Sequence, residues 1–325
     1  SRRGGSDRSA MRDPENRDVP GETRSIEADF RASFDPALLH GLPGLRTSTS
    51  IDPMDFAWSI GGAPNVWVPL RGTERCAVAV ADLGAAVLTG ARLPPSRFDV
   101  TAGAGEVYVV LGMDERHRSV VNGVAVPFAS MGIGWPGARC VAHWPESIGA
   151  PQSFVIVRIA QDRVPPDWPR SGDLFSIREL SAAAVTRLRT FLVDLFLAVA
   201  QEAAPGATET TACRLARLIE EIDLALRSSS MVPAPPALVT KGYLNLIDRI
   251  DDHISAHYAE PIRLEDVAEA LRVSRRTIHN VMRRVRGSTF QDYLRTLRLR
   301  CVRFSLRHDE SIRLVKQAAI RYGFA

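Results

Sequence analysis

The chain has 325 residues, 45% of them apolar and 24% charged, with a net charge of +4. That is the balance of a globular protein with one large or two ordinary domains, and no run reaches the uninterrupted apolar length of a membrane span. The charge is unevenly shared: from Thr240 onward seventeen Lys and Arg face ten acids, a net +7, which leaves −3 for everything before. A basic last quarter on a mildly acidic body suits a polyanion partner, and equally an Arg-rich solvated surface.

Residues 1–25 are polar and charge-mixed, start at Ser1, and lack an apolar segment, so they read as a disordered tail without a signal peptide. From 26 to 170 short β-like runs alternate with Gly and Pro: Met54–Ile60, Val66–Leu70, Cys76–Val80, Glu106–Met113 and Phe154–Ile159. Such spacing predicts an antiparallel sandwich or barrel. Asn122-Gly123 between two Val-rich runs predicts a tight hairpin. In Phe154–Ile159 the polar alternation is weak, as in a strand covered on both faces.

After Pro165–Pro169 the period turns helical over 171–227. Leu188, Leu192, Leu195 and Val199 form one stripe, and Leu215, Ile219, Ile222 and Leu226 another, on either side of Pro205-Gly206. The reading is a helical hairpin that packs on the body of the protein or joins a second copy in a homodimer. Residues 228–240 (SSSMVPAPPALVT) read as a linker, and 241–325 as entirely helical.

In that last segment an amphipathic helix, Gly242–Tyr258, carries Leu246, Ile247, Ile250 and Ile254 on one face. A short helix follows from Leu264 to Leu271, with the small Ala268 allowing a close crossing. The turn Arg272-Val273 leads to Ser274, an N-cap for a helix over Arg275–Val285. Ile278, Val281, Met282 and Val285 make the inner side of that helix. Arg276, His279, Asn280 and Arg283 make the outer side. Arg and Asn are suited to paired hydrogen bonds with guanine and adenine edges in a major groove, and Arg275, Arg284 and Arg286 to phosphates. A solvated charged face is the ordinary alternative, but such a face mixes signs, and between Asp266 and Asp292 the one acid is Glu269.

The stretches IRLEDVAEALRVS (262–274), SRRTIHNVMRR (274–284) and SIRLVKQAAIRYGF (311–324), with Gly287, Phe290, Tyr293-Leu294 and Arg298-Leu299 between them, resemble the AraC/XylS family of transcription regulators over about 80 residues. The resemblance implies an α+β chain. It would have a cupin-like effector-binding β-barrel (26–170), a dimerisation hairpin (171–227) and a C-terminal helix-turn-helix domain (241–325) whose second unit stops at Ala325. Phe290–Leu306 would be the rigid connector between the two units. The chain departs from the family at Arg263, where a helix cap is usual, at Arg272, a turn Gly, and at Met282 and Ala318.

The implied function is a sequence-specific regulator, an activator by family habit. It would bind double-stranded DNA and a small-molecule effector and contact RNA polymerase if it activates. Cys76, Cys140, Cys213 and Cys301 stand apart as isolated, buried thiols, which suits a reducing cytoplasm. The alternative is a small-molecule-processing cupin with a DNA-binding tail. Glu115 with His117, and the remote His143, fall short of a metal-ligand cluster, so neither a metal, a cofactor nor an enzyme activity is expected. Trp58, Trp67, Trp135, Trp144 and Phe128 are candidates for a pocket lining or for ordinary core.

Overall fold

A computed structural model describes residues 20–49, 66–69, 76–115, 118–144, 151–170, 172–201, 210–233, 237–258, 260–309, 311–312 and 314–324, with the backbone alone at 20–24, 66–69 and 237–239. Met54–Ile60, Trp58, His117 and Pro205-Gly206 lie outside the described residues. The fold is α+β.

Two antiparallel sheets form the body. The larger runs β1 (Arg46–Thr49), β3 (Ala77–Asp82), β4 (Ala86–Leu93), β11 (Gln152–Ala160), β6 (Glu106–Gly112), β9 (Ser130–Gly134), β12 (Ser176–Glu179) and β13 (Ser230–Met231). The smaller runs β2 (Val66–Pro69), β5 (Ser96–Thr101), β10 (Arg139–His143), β7 (Ser119–Val121) and β8 (Val124–Val126). They stack as a sandwich, and among the described residues no ladder closes them into the barrel that the family resemblance implied. An isolated parallel bridge joins Arg139 of β10 to Leu174, just before β12. The hairpin is present: Asn122 (φ 50°) and Gly123 (φ 78°) turn β7 into β8, a positive-φ pair that matches the twist of the strands.

The weak alternation of β11 has a direct cause. Val155, Val157 and Ile159 face a core shared with helices, while Phe154 and Ile156 face the space between the sheets, so both sides are buried. The helices on the outer side are α1 (Pro20–Ser33), α2 (Ala182–Ala200) and α3 (Thr211–Arg227). Helix α1 was not foreseen; it starts inside the expected tail and inserts Phe30 beside Phe196.

The stripe of α2 is spent on this core, with Leu188, Leu192, Leu195 and Val199 all buried. In α3 the buried residues are Arg214, Leu218, Ile222, Ala225 and Leu226, so Ile222 and Leu226 of the expected stripe are covered and Leu215 and Ile219 only partly. Much of the two stripes therefore packs on the body of the protein, as the roof of the larger sheet. The expected linker is also shorter than its composition suggests. β13 pairs Ser230 and Met231 with β12, and the next helix, α4 (Ala237–Ala256), begins before residue 240.

The C-terminal helices follow the sequence reading closely. They are α4, α5 (Leu264–Ala270), α6 (Arg275–Val281, continued by a π turn over Met282–Arg286), α7 (Phe290–His308) and α8 (Val315–Arg321). Leu246, Ile247, Ile250, Ile254, Val267, Ala268, Ile278, Val281, Met282 and Val285 share one core. Ala318 packs fully against α7, and Arg298 donates to the Gly323 carbonyl. Leu314 and Val315 at the start of α8 are exposed. No helix among the described residues is long and apolar enough to cross a membrane.

Candidate nucleic-acid interface

Helix α6 is set by its ends. Ser274 accepts a hydrogen bond from the Thr277 amide at 3.0 Å, as an N-cap should. At the start of α5, Arg263 has no acceptor to offer, and the cap is half made by its own backbone N–H donating to Asp266 at 3.2 Å. Between the helices Arg272 sits at φ 54°, a left-handed conformation in which a side chain is strained.

With Ile278, Val281, Met282 and Val285 buried, the opposite face of α6 presents Arg276, His279, Asn280 and Arg283 to solvent. Arg275 is also exposed and pairs with Glu265 at 2.9 Å, holding that carboxyl below its ordinary value. Glu265 lies just outside the stretch from Asp266 to Asp292 in which Glu269 is the one acid, so the pairing could be found only in the fold. Arg284 is exposed, but its Nε donates to the Gly123 carbonyl at 3.3 Å, and its guanidinium lies over the Tyr243 ring.

Arg286 corrects the sequence reading outright. It is 3% exposed, not on the phosphate-facing surface. Its Nη2 donates to Asp99 at 3.0 Å and to Asp251 at 2.8 Å, with the Tyr293 ring beside it. Asp99 lies on β5, so Arg286 fastens α6 to the smaller sheet. Arg139 of β10 works alongside, gripping Asp99 with Nε and Nη2 (2.8 and 2.7 Å) and Asp248 of α4 with both Nη atoms (2.7 Å each). Burial pushes the Asp99 carboxyl up, but Arg139 and Arg286 more than offset that and hold it below its ordinary value.

His143, the next outward residue but one along β10, meets the Val285 carbonyl through Nδ1 at 3.1 Å. Burial, with Arg97 and Arg286 nearby, lowers it to about 4, so it is neutral at pH 7. Its ring lies where a Cβ at Gly287 would stand, 2.5 Å away, which explains a glycine there beyond its φ of 64°. Nothing in the sequence foretold this docking, because each partner lies more than a hundred residues from the other.

Behind the docked strand lies an apolar cavity of about 110 Å³ between the sheets. Phe98, Tyr108, Cys140, Ala142, Trp144 and Phe154 are among its walls, and among the described residues no charged side chain lines it. Of the expected aromatic candidates whose side chains are described, Trp144 is placed there. Trp135 belongs to the helical core and donates to the Pro169 carbonyl, and Phe128 lies under Arg189. The thiol of Cys140 is pushed up to about 12, chiefly by burial, and burial raises the Tyr108 hydroxyl as well.

All four cysteines are free; Cys213 is exposed, against the expectation of buried thiols. Among the described residues no group of three or more His, Cys, Asp and Glu side chains is placed to hold a metal ion.

No family model matches the chain. Among solved structures, a putative dioxygenase from Nostoc punctiforme is similar over 38% of this chain and 46% of its own (10% identity, TM-score 0.22). Fatty-acid-bound ToxT from Vibrio cholerae is similar over 74% of this chain and 87% of its own (12% identity, TM-score 0.30). The AraC-like transcriptional activator CuxR is similar over 84% of this chain and 98% of its own, at 9% identity and a TM-score of 0.42.

Proposed function

We propose that this chain is a DNA-binding transcription regulator that reads a major groove with α6 and answers to a small uncharged molecule held between its sheets. The observation that carries the first half is the outer face of α6. Arg276, His279, Asn280 and Arg283 stand exposed on one side of a helix whose other side is fully buried, with no carboxylate on that helix. Hydrogen-bonding groups projecting in a row from a rigid helix are what base-edge reading requires. Arg275 is the best-placed phosphate contact, since Arg286 is taken up inside the protein.

The second half rests on the cavity. An apolar hollow of this order takes small apolar molecules rather than water. With no cation in its described walls, it suits an uncharged aromatic or aliphatic group better than a carboxylate. The alternative of a small-molecule-processing protein is disfavoured by the same lining. Among its described lining residues the titratable groups are Tyr108 and Cys140, and burial holds both in their neutral forms.

Selection of bound fragments from a random DNA pool, followed by anisotropy titration, tests the reading. Asn280→Ala should cost about 1–3 kcal/mol on the selected site and relax the choice of one base pair. Equal losses on selected and random DNA would remove α6 from base recognition.

A further inference from the structure

A second cavity, of about 620 Å³, opens where the ends of α1 and β6 meet the start of β11 and one face of α2. Thr186, Arg189, Thr190 and Val193 of α2 recur at i, i+3, i+4 and i+7, so they turn toward it together. Unlike the hollow between the sheets, it has a polar wall, to which Asp114, Glu115 and Gln152 also contribute.

Arg189 and Asp114 are of opposite charge and stand in this wall without meeting. Carbonyls hold the Arg189 guanidinium in place: Nε donates to Gly112 at 2.8 Å, and Nη2 to Asp114 and Phe128 at 3.3 and 3.2 Å. They position the group without neutralising it, and Nη1 has no hydrogen-bond partner among the described residues. The Asp114 carboxylate accepts from the Ser153 amide through Oδ2 at 2.5 Å, and Oδ1 has no partner among the described residues. Burial lowers Arg189 and raises Asp114, so each is displaced toward its neutral form. The two feel each other's field, yet no ion pair joins them. Of the neighbouring cations, Arg31 is paired with Asp194, and Arg92 with Asp35 at 3.6 Å.

Gln152 adds a further unmet demand. It is 3% exposed, and neither its amide nitrogen nor its amide oxygen has a hydrogen-bond partner. A buried amide left unpaired lowers stability, which makes it a candidate for a role other than holding the fold.

Opposite charges fixed apart in one cavity select a molecule that carries both signs. An anion alone would leave Asp114 unanswered beside it, and a cation alone would leave Arg189. We propose that this cavity binds a zwitterion of the α-amino acid class, independently of the reading of α6 and of the hollow between the sheets. The ligand carboxylate meets Nη1 of Arg189, its ammonium group meets Asp114 with Glu115 beside it, and the Gln152 amide pairs with a polar side chain. The volume lies within the range of small-molecule sites.

The test uses the full chain. The standard L-amino acids are screened singly by thermal melting, in which a specific ligand raises the midpoint by mass action. The best of them is then titrated calorimetrically beside its N-acetyl derivative, which lacks the ammonium charge, and its amide derivative, which lacks the carboxylate. Each derivative should bind at least about 10-fold more weakly, the scale of one hydrogen bond to a charged group. Asp114→Asn, which can still accept from Ser153, should weaken the ligand and its amide derivative alike and leave the N-acetyl derivative unaffected. Gln152→Met should raise the melting midpoint of the free chain and remove the advantage of polar over apolar amino acids.

No rise in midpoint with any amino acid, or equal affinity for the ligand and either derivative, would overturn the site. Unchanged ligand affinity in Asp114→Asn would do the same. Apolar amino acids binding as tightly as polar ones would overturn the part given to Gln152. None of these outcomes depends on whether the chain binds DNA.

Discussion

The two faces of the smaller sheet have opposite chemistry. The inner face, built from Phe98, Val100, Cys140 and Ala142, meets an apolar hollow with no charge in its described walls. The outer face, built from the residues between them, carries Arg97, Asp99, Arg139 and His143 into an interface crowded with charge. The same strands supply both, so strand alternation, not domain division, separates the two. The difference also shows what each face is suited to. An apolar hollow accommodates any molecule of fitting shape, whereas an ionic interface fixes one orientation, because it is costly when its partners are not met.

Removing a charge from the outer face should have the largest effect. Arg286→Met leaves Asp251 buried without its cation and should destabilise the protein by about 3–5 kcal/mol in urea unfolding. Arg276→Ala, on the exposed face of α6, should stay within about 0.5 kcal/mol of the parent. Similar losses for the two would show that Arg286 is as dispensable to the fold as a surface arginine.

Acidification should act through His143. Its folded value, about 4, lies below the ordinary 6.5, so the unfolded chain takes up the proton more readily. The stabilisation is complete above the unfolded value and is lost as pH falls from about 6.5 toward 4, a range worth about 3 kcal/mol. Arg97 and Arg286 face the same ring and oppose its charging. His143→Gln should flatten this part of the stability profile; superimposable profiles would assign the acid sensitivity to other groups.

The smallest expected effect sharpens the comparison from outside the interface. Arg272, at φ 54°, is exposed and strained, so Arg272→Gly should stabilise the C-terminal helices by about 1 kcal/mol. Thermal melting reads this directly, and a lowered midpoint would mean the arginine contributes more than its backbone costs.

How far these features were legible depends on how local their causes are. The helices from 237 onward carry their own signals: Ser274 as a cap, Ala268 at a crossing, and a clean split of α6 between Ile278, Val281 and Met282 and the polar face. The Asn122-Gly123 turn was equally plain, because two residues set its geometry. The sandwich was foreseen only as one of two all-β possibilities, since which strands pair is a long-range matter. Helix α1 was missed because its few apolar residues, such as Phe30, lie in a polar surrounding. Arg286 was misassigned because a basic residue beside a recognition helix looks the same in sequence whether it meets phosphate or Asp99. What decides is a contact across 187 positions. The cavity was out of reach for a similar reason, as Phe98, Tyr108, Cys140 and Phe154 come from four different strands.

The alternation of β10 carries a thermodynamic obligation. If an occupant of the cavity changes the affinity for DNA by some factor, DNA must change the affinity for that occupant by the same factor. A molecule that raises the affinity for DNA would then bind more tightly when the protein is already on DNA. Measured with and without DNA, the cavity's affinity for a small apolar probe would yield this coupling with no mutation at all. The protein would hold such a ligand most firmly while bound to DNA.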